Sequence, residues 1–96
     1  MKRYQVNELE WDESNIEHIW RHGVYLWEVH DAINDPGNHE YMHKHKKYGE
    51  RLIVLGRTRG GRPLVVFLKP IDKNWGRWRC ATAREADKNE RKRYFS

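Results

Sequence analysis

Cysteine is nearly absent from this chain of 96 residues, Cys80 being the only one. A lone thiol closes no intramolecular disulfide and belongs to no cysteine cluster with the spacing of a zinc site, so a reducing compartment fits. Long apolar runs are missing as well. The longest, Leu64 to Leu68, falls far short of the roughly 20 residues that cross a bilayer, and Met1 to Trp11 lacks the apolar segment of a signal peptide. These absences predict a soluble, cytoplasmic protein with no membrane partner. No repeat, low-complexity tract or Gly/Ser linker interrupts the sequence, and its length suits one hydrophobic core, so residues 1–96 are read as a single domain. No cofactor is expected.

What is present is aromatic and charged. Five Trp, five Tyr and two Phe supply large apolar area from few residues, which offsets a mean hydropathy of −1.10 and predicts an aromatic-rich core. The net charge of +5 is unevenly spread. Residues 1–43 hold three Lys/Arg against nine Asp/Glu, a net −6, whereas residues 44–96 hold sixteen against five, a net +11. Clustered cations release counterions from a phosphate backbone, so the C-terminal half points to a polyanion. The plainer alternative is a set of solvated surface charges.

Periodicity orders the elements. Tyr4 to Trp11 alternates loosely, as a short edge strand does. Ser14 with Glu17 three residues on reads as a capping box, Ile16, Ile19 and Trp20 share a helix face, and Gly23 supplies the stop. A second helix is expected over Tyr25 to Asn34, with Leu26, Val29 and Ile33 inward and Pro36 ending it. His39 to Gly49, basic and histidine-laden, reads as an edge strand or a loop. Arg51 to Arg57 and Arg62 to Leu68, joined by Thr58-Arg59-Gly60-Gly61, form a hairpin whose near-continuous apolar character predicts a central position with both faces covered. Trp75 to Thr82 is read as a third strand, with Arg77 and Arg79 on one face and Trp78 and Cys80 on the other. Asp87 with Glu90 opens a short basic helix running to Tyr94. The class is α+β.

The chain resembles the BrnT toxins through Glu10-Trp11-Asp12, Arg21-His22-Gly23-Val24, Asp35-Pro36, Gly49-Glu50-Arg51, Gly56-Arg57-Thr58, Ala81-Thr82-Ala83-Arg84-Glu85-Ala86 and Glu90-Arg91-Lys92-Arg93-Tyr94. It departs from them in the basic stretch His39 to Lys47 and in Trp75, Trp78 and Cys80, where aliphatic residues are usual. The resemblance implies a RelE-like fold, an antiparallel β meander packed with two N-terminal helices and a short C-terminal helix. It also implies a type II toxin–antitoxin system: a ribonuclease that blocks translation, and a ribbon-helix-helix (BrnA-like) antitoxin that holds it and binds operator DNA.

Metal-free RNA cleavage needs a base for the 2′-hydroxyl, cations for the phosphorane and an acid for the leaving oxygen. Arg57, Arg79 and Arg84 are the cationic candidates, each at a position matching those motifs, with ion pairing as the alternative role. Glu50, His22 and Tyr94 are the proton-transfer candidates, though His22 before Gly23 better suits a helix cap. Lys44, Lys46, Lys47, Arg59, Arg62, Arg77 and Tyr94 are candidates for holding RNA, and Trp27 and Trp75 are either core or antitoxin contacts. Two other readings compete. His39-Glu40-Tyr41-Met42-His43 matches the zinc-hydrolase pattern, which requires a buried helix and a third ligand, and His39, His43 and His45 could also bind a metal adventitiously. The second is a non-catalytic protein that only binds nucleic acid or antitoxin through the same basic surface.

Overall fold

The computed structural model describes residues 4–96. Its elements run β1 (Glu8–Glu10), α1 (Glu13–Arg21), α2 (Leu26–Asn34), β2 (His39–His45), β3 (Gly49–Arg57), β4 (Pro63–Asp72), β5 (Arg77–Glu85) and α3 (Lys88–Tyr94). Strands β2 to β5 form an antiparallel meander in chain order, and β1 pairs in parallel with β5, giving a mixed sheet in the order β1-β5-β4-β3-β2. The fold is α+β, and the two apolar runs occupy the interior strands β3 and β4.

Short-range chemistry sets where the elements begin. Helix α1 starts two residues before the expected Ser14 cap, because Asp12 accepts from the Asn15 amide (3.1 Å) while the Asn15 side chain accepts from the Asp12 amide (2.8 Å). The buried Asn15 also donates to the Glu10 and Cys80 carbonyls, stitching the helix start to β1 and β5. Gly23, at φ 72°, turns the chain so that the fully buried Val24 bonds back to Ile19. Asp87 and Glu90 form the expected capping box of α3.

On one face of the sheet α1 and α2 bury Ile19, Val24, Val29, Ala32 and Ile33 against Leu52, Val54, Leu64, Val66, Leu68 and Trp78. Contact is close enough that a Cβ on Gly56 would sit 2.1 Å from the Ala32 carbonyl oxygen, so only glycine fits there. The other face is smaller: Ile53, Leu55, Val65 and Ala86 pack with Phe67, Tyr94 and Phe95 under α3. A helix of seven residues cannot roof the whole sheet, so the expectation that β3 and β4 are covered on both faces holds at the α3 end alone.

One strand is displaced from its expected bounds and another takes one of its two expected forms. β5 spans Arg77–Glu85 instead of Trp75 to Thr82, and Trp75 lies exposed in the turn before it. Phe67 pairs with Thr82 and Leu68 with Cys80, which leaves Ala81 in a bulge. The histidine-rich stretch is the edge strand β2, the first of the two forms expected for it.

Candidate functional site

Alternation along the strands decides what stands on the unroofed face. Cross-strand rows place His43 opposite Arg51, and Tyr41 in line with Ile53, Phe67 and Thr82. The next row, His39, Leu55, Val65 and Arg84, runs towards α3. α3 borders the second of these rows without reaching the first, and His43, Arg51, Ile53, Phe67 and Thr82 from the two rows line an open cavity of about 490 Å³. Ile53, Phe67 and Ala81 form its apolar floor, and its rim is His43, His45, Tyr48, Arg51, Thr82 and His18, the last reaching in from α1. A groove of similar size, about 510 Å³, lies between α1 and β5, where Glu13 and Glu17 line it together with Arg21 and Arg79, whose guanidiniums are already paired with Glu17 and with Asp12 and Glu10.

The polar groups of the cavity are held in distinct ways. Nδ1 of His45 accepts from the amides of Lys47 (3.0 Å) and Tyr48 (3.2 Å), so its ring hydrogen sits on Nε2, directed away from the turn. Nε2 of His18 bonds the Thr82 hydroxyl at 3.0 Å. His43 stands 6.1 Å from His45, ring centre to ring centre, with no hydrogen-bond partner among the described residues. Nη1 of Arg51 donates to the carbonyls of Tyr48 (2.6 Å) and Glu50 (2.9 Å), which fixes the guanidinium without neutralising it. The Tyr48 ring lies 4.8 Å from His45, and burial pushes the neighbouring Tyr41 hydroxyl above its ordinary value, so it stays a neutral donor.

None of Arg57, Arg79, Arg84, Glu50 and His22 lines this cavity. Arg79 grips Asp12 (2.9 and 3.2 Å) and Glu10 (3.1 Å), tying β5 to the start of α1, and its guanidinium holds the Asp12 carboxyl below the usual range. Arg84 forms a forked pair with Glu90 (2.6 and 2.9 Å), and Arg57 donates to the carbonyls of Phe95 and Gly61, so these two dock α3. Tyr94 packs in the cluster beneath that helix, its ring 5.5 Å from His39. Glu50 pairs with Lys73, and His22 caps α1 with its ring 5.2 Å from His18.

The expected RNA-holding residues divide. Arg62 bridges Glu28 and Glu85, Arg77 pairs with Glu8 and Glu10, and Arg59 meets Asp31. Lys44, Lys46 and Lys47 lie in or beside the β2–β3 turn at the cavity's end, and neither they nor Lys88, Arg91, Lys92 and Arg93 of α3 join an ion pair among the described residues. The unroofed face therefore runs from Lys46 and Lys47 of the turn to the cations of α3, whereas Lys44, alternating with His43 and His45, stands on the opposite side of β2.

Sequence reasoning weighed His43 and His45 only as metal ligands and passed over His18, Tyr48, Arg51 and Thr82. The available signal was the odd spacing of His39, Tyr41, His43 and His45, which puts all four on one face once the stretch is a strand. The same strand geometry removes the zinc-hydrolase reading, since His39 and His43 stand about 13 Å apart along extended backbone and cannot share an ion. Among the described residues no three His, Cys, Asp or Glu converge as metal ligands. Cys80 is buried, which pushes its thiol up to about 12 and leaves it inert as a nucleophile. No protein-family model matches the chain, and a search of curated proteins returned no match.

Proposed function

We propose that the unroofed sheet face is the site of a metal-independent endoribonuclease. The observation that carries the reading is the grouping of an unpartnered imidazole, a second imidazole with a fixed outward N–H and an un-neutralised arginine around an aromatic-floored cavity. In this mechanism His43 takes the proton of a ribose 2′-hydroxyl, whose oxygen attacks the adjacent phosphorus. Arg51 holds the non-bridging oxygens as charge builds on the phosphorane. His45 Nε2–H donates a hydrogen bond to a non-bridging oxygen, and as the P–O5′ bond breaks the 5′-oxygen takes up, through solvent, the proton that His43 removed from the 2′-hydroxyl. The products are a 2′,3′-cyclic phosphate and a 5′-hydroxyl, and Phe67 and Tyr48 offer ring faces to the flanking bases.

The resemblance to the BrnT toxins gives this activity its setting: a cytoplasmic toxin that cuts RNA to stop translation and is held by a ribbon-helix-helix antitoxin, through which alone it meets operator DNA. Arg57, Arg79 and Arg84 then act by holding the scaffold, and Arg51 takes the cationic role first assigned to them.

Purified protein incubated with a defined RNA in EDTA is expected to release 2′,3′-cyclic phosphate ends, and His43→Ala is expected to lower the rate about 10²-fold or more with RNA affinity kept. RNA that is bound but left intact by the wild type would replace this reading with the non-catalytic binder.

A further inference from the structure

β2 ends the sheet with its outer edge open. It runs for seven residues in unbroken register with β3, without proline or bulge, whereas β1 at the opposite edge has only three residues. A long straight edge of that kind is a template for another strand. The groups it offers follow from the far side of β3. The Thr58 amide donates to the Arg62 carbonyl (2.9 Å) and the Pro63 carbonyl accepts from Ala86 (2.9 Å), so Pro63 faces away from β3, and Leu64, Val66 and Leu68 bond to Gly56, Val54 and Leu52. The alternate residues of β3 therefore face β2: the Arg57 amide reaches Asp35 on that side (2.8 Å), and Leu55, Ile53 and Arg51 bond to His39, Tyr41 and His43. That leaves the backbone N–H and C=O groups of Glu40, Met42 and Lys44 pointing outward, where no described residue meets them.

The side chains of the same three residues share the helix-side face of β2, with Met42 packed against the main core. Neither charge is neutralised within the described chain. Glu50, opposite Lys44, is held by Lys73 (3.1 Å), and Glu40 accepts only from the Tyr4 amide, through Oε1 (3.0 Å). An outward series of acid, methionine and base is its own antiparallel complement. With a two-fold axis through Met42, that residue exchanges backbone bonds with Met42 of a second copy, and Glu40 exchanges them with Lys44 of that copy, so both free charges find opposite partners on each side of the axis. Two-folds through Glu40 or Lys44 would oppose like charges, and those through Tyr41 or His43 set Met42 against one of the charges instead.

We propose that β2 pairs antiparallel with β2 of a second copy of this chain, centred on Met42, and joins the two sheets into one. On the open face the same register stands Tyr41 of the second copy about 4.5 Å from His43, Cα to Cα, so each cavity gains an aromatic ring at its edge from the other chain. The pairing stands on the backbone and charges of β2, independently of the chemistry assigned to the sheet face.

Sedimentation velocity of the full chain between about 1 and 300 µM is expected to show a reversible monomer–dimer equilibrium. Glu40→Lys sets lysine against lysine across the seam and Lys44→Glu sets glutamate against glutamate, so either variant alone is expected to dimerise at least about tenfold more weakly. An equimolar mixture of the two variants brings every lysine opposite a glutamate and is expected to form mixed dimers at about wild-type strength, as is Glu40→Lys/Lys44→Glu with itself. Circular dichroism of each variant checks that it is folded. A wild type that stays monomeric overturns the proposal and leaves the edge to a strand of another protein. So do single variants that dimerise like the wild type, or single variants that both weaken while their mixture fails to recover. Dimerisation lost instead in Trp20→Ser/Trp27→Ser also overturns it, since the contact would then lie at the exposed aromatic rings of the α1–α2 joint.

Discussion

At the scale of single residues, arginines of one chemical type do two different jobs, decided by what accepts their hydrogen bonds. Arg79 gives its donors to carboxylates, whereas Arg51 gives two to carbonyls and keeps its charge. Arg79→Gln is therefore expected to lower stability by about 1 kcal/mol in urea melts, while cleavage per folded molecule stays within about twofold. Arg51→Gln should do the reverse, with stability little changed and kcat/KM down by about 10²-fold. If Arg79→Gln abolishes cleavage without loss of stability, the roles are exchanged. His30 shows a different dependence on environment, since its Nε2 accepts from the Trp11 indole N–H at 3.1 Å and burial holds its pKa below the ordinary 6.5. The unfolded chain thus takes up this proton before the folded one does. The contribution is complete above about 6.5 and lost as pH falls below it, so thermal melts should drop between pH 7.5 and 5.5, and His30→Gln should flatten that part of the curve.

At the scale of elements, α1, α2, the β3–β4 hairpin and α3 are legible in sequence because each has its own period and its own stop residue. β2 is less so, because its polar residues sit on an edge where no buried face enforces alternation. The site was hidden with it: the cavity exists only where β2 adds its histidines beside Arg51 and where α3 fails to reach, and neither fact is local. The arginines drew the eye because their charge is visible in sequence and their partners are not. Arg84 meets a carboxylate six residues away, but Arg79 meets Asp12 from the other end of the chain. The α3 end is also testable by pH. The Arg84 guanidinium holds Glu90 below the usual carboxylate range, so docking of α3 is intact above the ordinary glutamate value and weakens as pH falls below it. Glu90→Gln is expected to remove much of the acid sensitivity of the urea midpoint, and an unchanged acid limb would show that α3 is held by Arg57, Tyr94 and Phe95 alone.

At the scale of the molecule, the charge asymmetry along the chain becomes an asymmetry in space. The helices on one face of the sheet draw on the acidic first half, whereas the open face is bounded by the turn that carries Lys46 and Lys47 at one end and the cations of α3 at the other. A single strand laid along that face would have a phosphate neutralised at each end and several between. With about five phosphates engaged, log Kobs against log salt should fall with a slope of about −3.5. Lys46→Glu/Lys47→Glu removes two of those contacts in the β2–β3 turn beside the cavity, so the slope should become shallower by about 1.4. Arg21→Glu, on the acidic helix layer, should leave it unchanged. Filter binding of a catalytically silent His43→Ala protein measures all three slopes without loss of substrate. A hairpin variant with the wild-type slope would mean that RNA does not cross the open face, and the assignment of the cavity would fall with it.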